Sequence, residues 1–323
     1  MADATDSLAE SNCVLTRVRE RAGIAGKSAA LATFGRSWSY GEVMARSERI
    51  AGALARLDVG PERPLGLLLP PVPTAAMAAL AALRLGATVV PCDPMRSGEE
   101  LRDRMQAIGS GVMVTLDLTR LQRRWIGLLD QTELSAVLVE KMADLLPFPR
   151  NLLMPLMRGG EIAAVPRDPR LAALPRLLQK DAGAAVQAGP SGALLDTESR
   201  SVGEDAILDA MGALTDLAGG ARRWLLAHHL DDAWPLAAML TPLTAGRELM
   251  MLPRLDARTV AAALNHEQPQ VAVLSGKVAV ELAASPPDSG ALSLAVVPPH
   301  VPENVREELA HATGARVVVW QGP

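Results

Sequence analysis

The chain has 323 residues, enough for one large domain or two ordinary ones. Apolar residues make up 49% of it and aromatic ones only 2%, so alanine, leucine and valine must build the core. A net charge of −4, with a pI near 5.8, argues against a general nucleic-acid binder, which would be basic.

In chain order, residues 1–11 (MADATDSLAES) are acidic and polar. They lack the basic and apolar regions of a signal peptide and are expected to be disordered. Residues 12–26 read as a helix with Leu15, Val18 and Ala22 on one face. ALATFGRSWSY (30–40) reads as two short strands around Gly35-Arg36. Ser39 opens a helical run that stops at Gly60. The next stretch, LGLLLPPVPTAAMAALAAL (65–83), carries no charge and has nearly the length of a membrane span. Pro70, Pro71 and Pro73 break it, so a buried strand, a proline turn and an Ala-rich helix fit better. ATVVPCDP reads as a second buried strand. Ser97 and Glu100 have capping-box spacing for the helix that follows, and GVMVTLD reads as a third strand. Apolar strands alternating with helices imply a parallel sheet covered on both faces.

Residues 117–180 are expected to be less regular. They hold a basic amphipathic stretch around Arg120, Arg123, Arg124 and Trp125, and the acid-free segment PFPRNLLMPLMR (147–158). Together these offer a candidate membrane or partner surface of Arg123, Arg124, Trp125, Phe148, Leu152 and Leu153. The plainer reading is a solvated helix face and a packed loop. Alternation resumes after residue 184, with strands in GAAVQA, RRWLLA, RELMML, QVAVLS, SLAVVP and ARVVVW. The pattern predicts an α/β protein with a first lobe over 12–180 and a second over 181–323.

Cys13 and Cys92 form no CxxC or metal-ligand pattern, which points to a reducing cytoplasm. Cys92 reads as a small buried hydrophobe. His228-His229 with Asp231-Asp232 lack metal-ligand spacing and read as an exposed helix start with aspartate capping. Ser191 sits in GPSG, which departs from the nucleophile-elbow pattern.

DAGAAVQAGPSGALLDTESR (181–200) has the layout of a strand running into a phosphate-binding loop. Gln187, Gly189, Ser191 and Gly192 occupy the loop position. Backbone N–H groups and Ser191 could hold a small anion, but Asp196 and Glu198 oppose a triphosphate. No lysine lies between Lys180 and Lys277.

GRSWSYGEVMARSERIAGALARLDVGPERPLGLLLPPVPTAAMAALAALRLGATVVPCDP resembles the opening of adenylate-forming enzymes, the acyl-CoA synthetases and their relatives. SAVLVEKMADLLPFPRNLLMPLM resembles bacterial long-chain fatty-acid–CoA ligases in particular. TPLTAGRELMMLPRLDARTV, PQVAVLSGKVAVELA and the closing LSLAVVPPHVPENVREELAHATGARVVVWQG keep that family's order, so the resemblance covers about 12–322.

The resemblance implies two stacked α/β lobes with mainly parallel sheets flanked by helices. Full-length members add a β-barrel and a mobile C-terminal domain, which this chain is expected to lack. It also implies an ancestral reaction in which ATP and a fatty acid give an acyl-adenylate, with Mg²⁺ assisting, before coenzyme A takes the acyl group.

Against that pattern, the Thr-Thr-Gly-x-Pro-Lys core of the phosphate loop is missing. His228 or His229 stands at the acyl-pocket histidine without its flanking aromatics. Pro298 and Pro299 replace glycines of the adenine-contacting turn and remove backbone donors. The position of the family's Tyr-Gly-x-Thr-Glu segment is reached as WQGP, and its ribose-binding acid and C-terminal lysine are expected beyond residue 323.

The expectation is a non-catalytic acyl-CoA synthetase-like protein, a binding or assembly subunit in fatty-acid metabolism. It is expected in the cytoplasm, with peripheral inner-membrane contact as an option. A protein partner, as a hetero- or homo-oligomer, is expected, and nucleic acid is not. No ATP, Mg²⁺ or other cofactor is expected, with acyl-CoA the one candidate ligand. Two alternatives stand beside it. One is an ATP-dependent fatty-acid–CoA ligase completed in trans by another chain. The other is an acyl or acyl-CoA binder without turnover.

Overall fold

The computed structural model describes residues 13–107, 109, 111–157, 160–180, 192–288 and 290–323. Residues 1–11 and the loop residues Gln187, Gly189 and Ser191 fall outside this set.

Helix α1 (Val14–Ala25) precedes the hairpin β1 (Ala29–Thr33) and β2 (Arg36–Ser39). Helix α2 (Tyr40–Ala55) starts on a capping box in which Ser39 and Glu42 satisfy each other's backbone N–H. Strand β3 (Leu65–Leu68), α3 (Pro73–Arg84), β4 (Thr88–Pro91), α4 (Gly98–Ala107) and β5 (Val112–Leu116) follow. The expected box at Ser97 is present: its N–H donates to the Glu100 carboxylate at 2.9 Å, and the Glu100 N–H donates back at 3.1 Å. Where the sequence predicts an irregular region, the structure has α5 (Thr119–Leu129), β6 (Ala136–Glu140), α6 (Arg150–Met157), β7 (Leu171–Ala173) and α7 (Leu174–Lys180). Then come β8 (Ala193–Leu195), β9 (Ser201–Gly203), α8 (Glu204–Ala218), β10 (Arg223–Ala227), α9 (Ala233–Thr244), β11 (Glu248–Met251) and α10 (Ala257–Glu267). The described chain closes with β12 (Val271–Leu274), α11 (Gly276–Ala284), β13 (Leu294–Val297), α12 (Glu303–Thr313) and β14 (Arg316–Val319).

These strands form two seven-stranded, mainly parallel sheets, ordered β7-β6-β5-β3-β4-β8-β9 and β14-β13-β12-β10-β11-β1-β2. Only the pairs β1–β2 and β8–β9 run antiparallel. Neither sheet closes into a barrel among the described residues. The sheets do not divide the chain at residue 180. Strand β1 pairs in parallel with β11, so residues 29–39 belong with the second half of the chain. Strand β8 pairs in parallel with β4, so residues 193–203 belong with the first half. Both exchanges are long-range pairings, which local periodicity cannot report.

Helices α3 and α9 are held between the sheets. From Pro73 to Leu83 every residue of α3 is buried, and so is every residue of α9. Helix α3 packs on β3 and β4 of one sheet and β1 of the other; α9 packs on β10 and β11 and on β8. Such helices cannot be amphipathic, and their sequences are apolar all round. The supposed membrane span is thus a strand and an interior helix. Among the described residues no helix is long and apolar enough to cross a membrane.

Strand alternation then sorts side chains into two cores. Trp224, Leu226, Val271 and Val273 face the shared interior. Their neighbours Leu225, Ala227, Ala272 and Leu274 face an outer core under α10, α11 and α12. A buried ion pair ties the first sheet to the central helices. Glu140, at the end of β6, is fully buried, accepts from the Arg46 guanidinium of α2 and takes the Thr74 hydroxyl of α3 at 3.1 Å.

Candidate functional site

Strands β10, β12, β13 and β14 run parallel, so the loops that follow them emerge on one edge of the second sheet. Carboxyl-terminal edges of this kind are where open α/β sheets bind ligands. The edge carries His228-His229 after β10, Ser275 after β12, Pro298 to His300 after β13, and Trp320 to Pro323 after β14. Pro298 is buried; Pro299 and His300 are exposed.

His228 is buried, and its ring lies 5.1 Å from that of Trp234, which lies 5.1 Å from that of Trp320. The Trp234 indole N–H donates to the Trp320 carbonyl at 2.8 Å, and the Trp320 indole N–H donates to the Ala210 carbonyl at 3.2 Å. A β-carbon on Gly322 would stand 2.5 Å from the Trp234 ring, and its φ of +75° is left-handed. Only glycine lets the chain after β14 lie against that tryptophan. The sequence offers no aromatic beside His228-His229, yet the fold supplies two, from α9 and from the end of β14. Both tryptophans stand in the sequence, but they lie 86 residues apart and only the fold brings them together.

His228 Nδ1 is 2.7 Å from the His229 carbonyl and 3.7 Å from Asp231 Oδ1. Burial pushes the imidazole below its ordinary value of 6.5, against the opposing pull of Asp231. It is therefore neutral at pH 7. Asp232 caps α9 as expected, accepting from the Ala233 N–H at 2.7 Å, but the helix start is not exposed: His228, Ala233 and Trp234 are buried because α9 lies between the sheets. Asp232 also accepts from the Thr197 N–H at 2.9 Å. That bond joins the loop edges of the two sheets, because Thr197 lies in the β8–β9 turn. Among the described residues no three His, Cys, Asp or Glu side chains are placed to hold a metal.

Gly192 is the one described residue of the loop position. A β-carbon there would meet Leu83 Cδ2 at 2.8 Å, Leu83 Cα at 3.0 Å and the Ala87 carbonyl at 3.1 Å. Its N–H acts on the carboxylate of Glu204, favouring the charged form. Glu204 is buried at the start of α8 and also accepts from the Val14 N–H of α1 at 2.7 Å. Burial pushes its carboxyl upward, and these two donors work against that shift. Sequence reasoning missed Glu204, which stands at a helix start with no motif around it. Beyond Gly192, Asp196 accepts from the N–H groups of Glu198 and Arg200 and pairs with the Arg200 guanidinium at 2.7 Å. Arg200 also pairs with Glu198 at 3.1 Å, and Arg104 donates to the Asp196 carbonyl at 2.7 Å, so the charges beside the described end of the loop are paired with one another.

The candidate surface of the first lobe is only partly assembled. Phe148, Leu152 and Leu153 are exposed at 78%, 64% and 43%. Arg123 is exposed and Arg124 half-buried. Trp125 is wholly buried, because its place on α5 turns it into the core, and it contributes nothing to that surface.

Residues 18–151 match the family model described as AMP-binding enzyme. Over that stretch the chain is similar to AMP-binding enzymes. The coronafacic acid ligase of Pectobacterium brasiliense superposes with a TM-score of 0.76 at 13% identity, over 97% of this chain and 61% of that one. The long-chain-fatty-acid–CoA ligase of Bacillus subtilis (strain 168) is 23% identical over 136 residues, 41% of this chain and 23% of the ligase. The NRPS-like tryptophan epimerase fscC of Fusarium equiseti is 29% identical over 106 residues, 33% of this chain and 7% of the epimerase. The chain therefore spans less than a quarter of either curated relative. The AMP-binding fold is present as its two α/β lobes.

Proposed function

We propose that this AMP-binding relative is non-catalytic and serves as a binding or assembly subunit, in the context of long-chain acyl metabolism. The observation that carries this reading is the state of the phosphate loop. QAGPSG (187–192) has one hydroxyl and no lysine, and Gly192 at its end is buried against Leu83 and beside the Glu204 carboxylate. A triphosphate needs inward-facing donors and positive charge. Here the neighbouring side chains are Asp196 and Glu198, already paired with Arg200, and the buried Glu204. Removing one oxyanion donor costs about 10²–10³ in rate, and this loop has lost several groups. The Trp234–Trp320 stack over His228 adds to the case, since aromatic rings fill part of the loop edge.

The buried faces of the sheets and the central helices remain mostly apolar, so the fold is kept while the loop is not. Phe148, Leu152 and Leu153 are the part of the surface we assign to a partner protein, since exposed apolar clusters of this kind mark interaction sites. Cys13 and Cys92 are both free, which supports a reducing compartment such as the cytoplasm.

The test is pyrophosphate release by the purified chain with ATP, Mg²⁺, palmitate and coenzyme A. No release above the protein-free rate is expected, and ATP should leave the melting temperature unchanged. ATP-dependent release by the chain alone would overturn the reading. Release that begins only when a second chain is added would favour a ligase completed in trans.

A further inference from the structure

A groove opens away from the His228 cluster, at the carboxyl-terminal edge of the first sheet. It measures about 490 Å³, within the range of small-molecule sites. Asp117 follows β5 directly, Lys141 follows β6, and β7 supplies Leu171 and Ala173, so three neighbouring strands open into it. Its apolar wall includes Val139, Val165 and Leu171. Its polar groups are Lys141, Arg167, Arg176, Asp117 and Asp168.

The two carboxylates are already engaged. Asp117 accepts from the Met142 N–H at 2.7 Å. Asp168 accepts from the Arg170 backbone at 2.8 Å and from its guanidinium through both oxygens, at 3.1 and 2.8 Å. Arg170 also reaches Asp130 at 3.1 Å. Lys141, Arg167 and Arg176, by contrast, form no ion pair among the described residues. All three are exposed. The groove thus joins an apolar wall to three cations outside any ion pair among the described residues, of which Lys141 also acts on the charge of Asp117.

We propose that this groove binds a small organic phosphate, its apolar body against Val139, Val165 and Leu171 and its phosphate on Arg167, Arg176 and Lys141. Guanidinium forks match phosphate oxygens, and a lysine adds a point charge. Three cations match a dianionic phosphate monoester better than a single carboxylate. The site is separate from the phosphate-loop position and does not depend on whether that loop retains chemistry.

The probe is 1-naphthyl phosphate, titrated into the full chain by calorimetry, with 1-naphthoate and 1-naphthol as the monoanionic and neutral comparisons. Binding should weaken from phosphate to carboxylate to phenol. The R167E/R176E double variant should bind the phosphate at least about tenfold more weakly, since each charge-assisted hydrogen bond is worth that much. Arg123→Glu, an exposed cation elsewhere on the lobe, and His300→Ala, on the other sheet's edge, should bind as the unaltered chain does. Circular dichroism confirms that every variant is folded. No binding by the unaltered chain, a loss below about tenfold in the folded double variant, or naphthol binding as tightly as its phosphate would each overturn the proposal.

Discussion

Glu140 shows how one residue can matter more to stability than to chemistry. It is fully buried, and its partner Arg46 is about a quarter exposed. Replacing it by alanine leaves the arginine beside an apolar core, and breaking such a pair costs about 3 kcal/mol. Glu140→Ala should lower the free energy of unfolding in urea by about that amount, with Glu140→Gln milder because its amide can still face Arg46 and Thr74. His228 gives a prediction with a definite sign. Burial holds its pKa below 6.5 in the fold, so below pH 6.5 the unfolded chain binds the extra proton first. Stability from His228 is therefore fully present above pH 6.5 and is lost as pH falls beneath it. His228→Asn should flatten the fall of melting temperature between about pH 6.5 and 5 relative to the unaltered chain. Glu140 and Glu204, raised by burial, act in the opposite direction but are common to both proteins and cancel in the difference. Of the loop-edge residues, His228, His229, Pro298 and Pro299 could be picked out from the sequence by alignment to a family pattern. Glu204 and the Trp234–Trp320 pair could not, because their partners are distant in the chain.

At the scale of elements, Gly192 ties the loop position to the core. Its Cα rests against the end of α3, where a β-carbon would strike backbone as well as side-chain atoms. Gly192→Ala must push β8 away from β4, and overpacking of this kind costs about 1–3 kcal/mol. A drop in the midpoint of chemical unfolding would register it; an unchanged midpoint would mean the sheet edge yields freely. The start of α6 and the Phe148 turn before it make the complementary case, since their exposed residues carry little folding energy. A Phe148→Asp, Leu152→Asp double variant should leave the melting temperature within about 2 °C, while weakening capture of the partner in native purification. Capture equal to that of the unaltered chain would remove this face from the binding surface. Capping and strand identity were legible at this scale. Ser97-Glu100 and Asp232 hydrogen-bond as their spacing implies, and the apolar runs of β3, β4, β5, β11 and β12 became buried strands. Residues 117–180 were not legible, because α5 alternates arginines with core residues and β7 is only three residues long.

Across the whole molecule, the exchange of strands between the halves decides how the chain can be cut. Fragment 1–180 carries β1 and β2 without β11, their neighbour in the sheet, and lacks β8 and β9. Fragment 181–323 has the reverse defect. Neither should unfold cooperatively when expressed alone, as measured by circular dichroism on heating, whereas the two mixed should regain a transition. A cooperative transition in either fragment alone would show that the lobes fold independently. Composition, strand–helix alternation and family likeness were enough to set the class of fold, because burial imposes period and polarity on every element wherever it ends up. Sequence alone likewise determined that the loop at 187–192 has no lysine. Which sheet each strand joins, which carboxylate the Gly192 N–H acts on, which aromatic rings cover His228 and which three cations share a groove were decided by the tertiary structure. Each depends on residues tens to hundreds of positions apart. What brings them together is the crossover path of the chain and the burial of α3 and α9 between two sheets, and neither leaves a local trace.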